Sequence, residues 1–314
     1  MFSLPYLDSI DVHQHLWPES VLRGLERRSC RPRAVWLHDR WEIRPAGERS
    51  FEVDLREHDP DRRGPILNAF GLDRAVVALS SPVGIEALPA EEALDLLSAW
   101  SAAAAELPSE LDWWAWVPSE LEAEAQATVA REGFGRGATG LCLPAGRLSS
   151  PSAARAALPV LSACDEARLP VFVHPGPVAR ASGEADWWPA ATGYVAEQHA
   201  AWHAFHAAVR RELPGLRAIF ALLAGLAPLH TERTVGRGGA EVDGAHADPL
   251  SFYDVSSYGP RAVRAAIDAV GIGQLVYGTD YPVAPLQDPV ADAFGPERAD
   301  LVRRDGARRA LGHA

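Results

Sequence analysis

The chain contains no lysine. All 30 of its basic residues are arginine, and that absence excludes a Schiff-base lysine, a phosphate-loop lysine and a carbamylated lysine bridging two metal ions. Cysteine is nearly as scarce: Cys30, Cys142 and Cys164 are odd in number and scattered. Such usage argues against a disulfide framework and for a reducing compartment, the cytoplasm. No apolar run approaches the ~18 residues of a membrane span, and no basic stretch leads into an apolar one at the start, so neither a span nor a signal peptide is expected. Positive charge is also in deficit. The formal net charge is −12, which makes nucleic acid and anionic membranes unexpected partners. With 47% apolar and 23% charged residues in 314, the remainder is an ordinary globular composition with material for a sizeable core.

What the chain does have is alternation of short apolar runs with helical stretches. The first run is Ser9-Ile10-Asp11-Val12-His13-Gln14-His15, set between Pro5 and Pro18, and its alternating pattern reads as a strand. Residues two apart on a strand share a face, so Asp11, His13 and His15 point one way. A long connection, 16–73, follows. Within it, apolar-polar segments flank Pro45-Ala46-Gly47 and predict an inserted hairpin at about 34–55. A short helix opens near Asp59-Pro60. Further strands are expected at 74–80, 112–117, 138–143, 169–174, 216–223, 251–256 and 274–278, with helices between most of them. Eight βα units in a chain of this length predict one domain over 1–314, an α/β fold of the (β/α)₈ TIM-barrel type. An open doubly wound sheet would need a glycine-rich turn after an early strand, and His13-Gln14-His15-Leu16-Trp17 offers no glycine.

Barrel enzymes gather their chemistry where the strands end. His13 and His15 end strand one, His174 ends strand five in Val171-Phe172-Val173-His174-Pro175, and Asp280 follows strand eight. Taken alone, His-x-His describes two unrelated buried histidines as well as it does a chelating pair. Three imidazoles and a carboxylate converging on one mouth suit a single divalent ion, zinc first, with manganese or iron also accommodated.

Together, His13-Gln14-His15, the His174-Pro175-Gly176 turn and Gly278-Thr279-Asp280-Tyr281-Pro282 resemble the amidohydrolase superfamily. The branch they look most like holds lactonases and the aminocarboxymuconate-semialdehyde type of decarboxylase. The resemblance implies that His13, His15, His174 and Asp280 are metal ligands, that Asp280 also takes a proton from water, and that the substrate is a small molecule; relatives are often homodimers. Two departures stand out. Strand four, Gly140-Leu141-Cys142-Leu143-Pro144, lacks the lysine that bridges two metals, which favours one ion. On strand six, Leu222 stands where the family has a histidine, leaving His230 as the nearest catalytic substitute.

Weaker candidates complete the set. Trp17 could wall an apolar pocket, Ser256 could hydrogen-bond substrate, and Arg237, with Arg180 and Arg233, could pair with a substrate carboxylate. His199 and His203 sit four apart without the glutamate of a zinc-protease motif, so a place on the pocket rim or a helix–barrel contact with Trp202 is the plainer reading. The leading reading is a metal-dependent hydrolase of an ester, lactone or amide carbonyl; the alternatives are a metal-dependent nonoxidative decarboxylase of an aromatic or unsaturated acid and a decayed barrel with a binding role.

Overall fold

The structure, a computed structural model, describes residues 8–179, 181, 183–238 and 248–313. After β1 (Ile10–His15), the strands β2 (Arg33–Leu37), β3 (Arg40–Arg44) and β4 (Phe51–Val53) form a separate antiparallel sheet. The remaining strands continue from β1 in strict order: β5 (Arg74–Ala78), β6 (Leu111–Ala115), β7 (Gly140–Pro144), β8 (Val171–His174), β9 (Ala218–Phe220), β10 (Ser251–Asp254) and β11 (Leu275–Val276). Every neighbouring pair in that order is parallel. The sheet closes on itself, because Val12 N–H donates to the Tyr277 carbonyl at 2.9 Å and His15 N–H to Tyr281 at 2.7 Å. This is the (β/α)₈ barrel that the alternation predicted.

Parallel strands roofed by helices are buried on both faces, and all six residues of β1 are buried although several are polar or charged. Those polar groups need internal partners. The Asp11 carboxylate accepts from Thr279 Oγ1 at 2.6 Å, Thr279 N at 3.2 Å and Gln14 Nε2 at 2.8 Å. It thereby stitches β1 to the turn after β11 at the barrel seam. Burial pushes its pKa up to about 6, against the lowering effect of those bonds.

The segment expected as a hairpin has three strands rather than two. Pairing of Leu37 with Arg40 leaves His38-Asp39 as a two-residue turn with φ of 49° and 59°. Tight hairpins of that kind usually carry Asn-Gly, and a His-Asp pair gives no such signal in sequence. A helix, Glu19–Glu26, also lies early in the long connection, ahead of the hairpin segment. The insertion sits at the C-terminal mouth: Glu48, Phe51, Glu52, Asp54, Glu57 and His58 line the same cavity as His13 and His174. Buried Arg63 anchors its far end, donating to the carbonyls of Glu57 (3.0 Å) and His15 (2.7 Å) and to Gln14 Oε1, and stacking on Tyr281.

Candidate metal centre

The four residues at the barrel mouth come together. His13, His15, His174 and Asp280 each offer a donor atom, and these atoms lie within 4.8 Å of one another; no other such group of metal-competent side chains occurs among the described residues. His13 Nε2 is 3.2 Å from His15 Nε2 and 3.1 Å from His174 Nε2. Asp280 Oδ1 lies 2.9 Å from His15 Nε2 and 3.4 Å from His13 Nε2.

The opposite ring nitrogens settle the proton positions. His13 Nδ1 faces Asp254 Oδ2 at 2.6 Å, His15 Nδ1 the Ala78 carbonyl at 3.3 Å, and His174 Nδ1 the Pro175 carbonyl at 2.8 Å. Each of those oxygens is an acceptor, which assigns the proton to Nδ1 and leaves each Nε2 a lone pair for the centre, where the Asp280 carboxylate 2.9 Å from His15 Nε2 is one more acceptor. Three lone pairs at ~3 Å repel unless a cation lies among them. This donor set therefore fits a divalent ion, which bound imidazole typically meets through one nitrogen while the other donates to an acceptor. Burial and the flanking His13 and His15 rings hold His174 well below the usual histidine pKa. For His13, burial opposes the charged form but the Asp254 carboxylate outweighs it, and the net direction is upward.

Asp254, at the end of β10, is the part of the site missed from sequence. It is buried, and it accepts from Ser256 N at 2.8 Å and Ser256 Oγ at 2.6 Å as well as from His13. Its strand was recognised, but nothing in Phe252-Tyr253-Asp254-Val255 marks a carboxylate aimed across the barrel at β1. Gly278 leaves the room: a Cβ there would stand 2.1 Å from Asp254 Oδ1 and 2.8 Å from His13 Cβ. We expect Asp254→Asn to weaken zinc affinity ~10–100-fold, the usual worth of such a supporting carboxylate. Chelator competition measures it, and an unchanged affinity would show that Asp254 does not orient His13.

Asp280 adopts φ 60°, a left-handed conformation that aspartate and asparagine tolerate better than most residues. Its backbone N–H donates to the His13 carbonyl at 2.8 Å, which turns the side chain into the mouth. Above the cluster opens a cavity of about 550 Å³, lined among others by Trp17, Ser80, Pro82, Pro175, Tyr194, Leu222, Ser257 and Pro282. Leu222 reaches this wall at the head of a turn in which residues 222–226 all have φ between 47° and 60°. Gly225 is required within it, since a Cβ would meet the Val195 carbonyl at 2.3 Å.

Other candidates lie elsewhere. His230 is exposed, its ring packed edge-on against His199, and it does not line the cavity. The chain after Leu222 turns outward through the left-handed segment, which carries His230 away from the mouth. Arg237 is exposed in the turn beyond, and Arg233 is exposed too; Arg180 lies outside the described residues. Ser256 is committed to Asp254 and His13, and its neighbour Ser257 lines the cavity wall instead. His199 and His203 pack against each other beside Trp202, and neither is on the rim of the cavity. His58, which sequence reasoning passed over, is buried on the cavity wall, and its Nδ1 accepts from Trp17 N–H at 3.1 Å. No helix among the described residues is long and apolar enough to cross a membrane.

Comparison with curated proteins finds no match. The fold is shared with solved structures at low identity. IDCase from Metarhizium anisopliae superposes with a TM-score of 0.79 at 19% identity, covering 98% of this chain and 97% of that one. A 5-carboxyvanillate decarboxylase from Novosphingobium aromaticivorans, crystallised with manganese and 4-hydroxy-3-methoxy-5-nitrobenzoic acid, gives 0.71 at 18%, covering 98% and 96%. A 2,6-dihydroxybenzoate decarboxylase from Rhizobium gives 0.69 at 16%, covering 98% and 99%. The amidohydrolase family model matches residues 10–313, from the first residue of β1 to the end of the last helix. With the His-x-His strand, the strand-five histidine and the strand-eight aspartate meeting at one barrel mouth, the chain belongs to the amidohydrolase family.

Proposed function

We propose that this protein is a metal-dependent nonoxidative decarboxylase of a small aromatic or unsaturated carboxylic acid, with His13, His15, His174 and Asp280 holding one divalent transition ion. The observation that carries the metal-dependent reading is the convergence of three imidazole lone pairs on one point beside a carboxylate, at the floor of a cavity of about 550 Å³. The choice of reaction is supported by the activities named for two of the similar structures. When bound, the ion would supply a Lewis acid for a substrate carboxylate or for water. The chain's own residues do the rest. Trp17, Pro82, Pro175 and Leu222 give the cavity apolar walls that exclude water and suit a planar, unsaturated substrate. In decarboxylation the carbon–carboxylate bond breaks, CO₂ leaves, and the carbon takes a proton. Asp280 is the mouth carboxyl placed to deliver it.

Hydrolysis of an ester, lactone or amide is the second reading, and one observation favours it. Among the described residues no arginine lines the cavity, whereas Glu48, Glu52, Asp54 and Glu57 do. An acidic mouth disfavours an anionic substrate, though Glu52 and Asp54 are each paired with an arginine, Arg40 and Arg56. Here Asp280 would accept a proton from water rather than donate one to carbon.

Two measurements decide. Elemental analysis should return about one equivalent of zinc, manganese or iron per chain, and prolonged chelation should abolish turnover that the same ion restores. Two equivalents, or activity indifferent to chelation, would overturn the single-ion site. A panel of hydroxybenzoic acids, lactones and amides separates the reactions: CO₂ release from the acids supports decarboxylation, and ring opening or amide cleavage without CO₂ transfers the proposal to hydrolysis.

A further inference from the structure

The resemblance implies a histidine on strand six, and this chain has Leu222 there, on the wall of the cavity. A leucine can neither donate a hydrogen bond to a substrate oxygen nor move a proton, so any such donor must come from another element. The mouth holds one whose proton position is fixed by its neighbours. His58, at the end of the insertion, lines the cavity with His13, His174 and Asp280. Its Nδ1 accepts from the backbone N–H of Trp17 at 3.1 Å. A backbone amide only donates, so Nδ1 carries no proton and the neutral ring holds its proton on Nε2. No residue among those described bonds to Nε2 within the protein.

The segment that carries His58 is held firmly. His58 N–H donates to the Leu55 carbonyl at 3.2 Å, and the guanidinium of Arg63 donates to the carbonyl of the preceding Glu57 through Nε and Nη2. The same guanidinium also bonds the His15 carbonyl, which ties this loop to the strand bearing two of the four cluster residues. Burial and the nearby positive charge of Arg63 hold the ring neutral, with its pKa lowered to about 3.

We propose that His58 is the electrophilic hydrogen-bond donor of this active site, presenting Nε2–H to a substrate oxygen in place of the missing strand-six imidazole. The proposal rests on the function argued above for the site and adds a residue from a different element. A neutral imidazole is suited to the task because it donates without carrying a charge that the substrate would have to compensate, and its direction needs no reorganisation when charge develops on the oxygen. It loses no proton itself; the proton that moves in the reaction belongs to Asp280.

Two amide substitutions separate this role from a merely structural one. The longer side-chain amide in His58→Gln reaches the Nε2 position and can still donate into the cavity, but abandons the Trp17 N–H. The shorter amide in His58→Asn keeps an acceptor for Trp17 N–H and withdraws the donor. Turnover of the best substrate in the panel should fall ~10²–10³-fold in kcat for His58→Asn, the usual worth of one such donor, and substantially less for His58→Gln, with metal content unchanged in both. Binding of benzoate to the manganese-loaded protein, measured by calorimetry, should weaken ~10–100-fold in His58→Asn and stay within a few-fold in His58→Gln. A purely structural histidine gives the reverse order, and that result overturns the proposal. Nitrogen-15 spectra of histidine-labelled wild-type protein should show His58, assigned by its loss in the variants, as a neutral Nε2–H ring at pH 6 to 9; an Nδ1–H ring or an imidazolium also overturns it. A wild type that turns over nothing in the panel and does not bind benzoate counts against the proposed function, and the nitrogen spectra then decide the state of His58 on their own.

Discussion

Asp280→Asn should lower turnover by ~10²–10⁴ while leaving most of the metal in place. The magnitude is that of a positioned general acid or base. The substitution keeps the side chain's size and one oxygen while removing both the negative charge and the exchangeable proton. The backbone has no reason to move, because asparagine accepts the left-handed φ of 60° as readily as aspartate does. Three imidazoles, each held by an Nδ1–H donation to Asp254, Ala78 or Pro175, remain to bind the ion. A decayed barrel would have no turnover to lose. A variant with full metal and full activity would remove Asp280 from the chemistry and direct attention to His58.

Glu86→Gln should stabilise the protein at pH 8 and not at pH 4. Glu86 is 2% exposed, and neither carboxyl oxygen is held in a well-formed hydrogen bond, Ser81 and its own backbone offsetting its burial only in part. Burial pushes its pKa up to about 8 from the ordinary 4.5. In the unfolded chain the carboxyl ionises near pH 4.5, whereas in the native state it stays protonated to about pH 8. Unfolding therefore releases a proton between those values, so stability falls as pH rises through that window and is flat beyond it. The full linkage is on the order of 5 kcal/mol, at ~1.4 kcal/mol per pH unit, and about 4 kcal/mol of it is expressed by pH 8. Glutamine removes this penalty but brings an amide whose own bonds are not assured, a cost of ~1–3 kcal/mol. The expected net gain at pH 8 is thus about 1–3 kcal/mol, and at pH 4, where the linkage has nearly vanished, a loss of about 1–3 kcal/mol. Urea unfolding at both pH values measures it, and an equal effect at the two would refute the buried neutral acid. Cys142 shares this pocket, and burial together with Glu86 raises its thiol well above the usual value. That makes it an inert packing residue, in keeping with its place among leucine and glycine on β7.

The sequence by itself determined the frame. Eight apolar runs separated by helical stretches dictate a parallel barrel, because buried parallel strands can be apolar throughout and must be joined by crossovers. The same periodicity put His13 and His15 on one face and placed His174 and Asp280 at strand ends, so the cluster followed from fold class and position along the strands. The lack of lysine, a matter of composition alone, removed the bridging ligand of a two-metal site. What only the tertiary structure decided were the partners that approach from distant segments. Asp254 meets His13 across 241 residues of chain, and His58 reaches the mouth because Arg63 and the backbone of Trp17 pin an insertion whose conformation no periodicity records. His230 shows the converse: it is near Leu222 in sequence, but a left-handed turn sends it to the surface. Strand residues inherit their direction from a repeating backbone, so their neighbours can be counted out along the chain. Loop residues take theirs from individual hydrogen bonds, and those exist only once the barrel has closed.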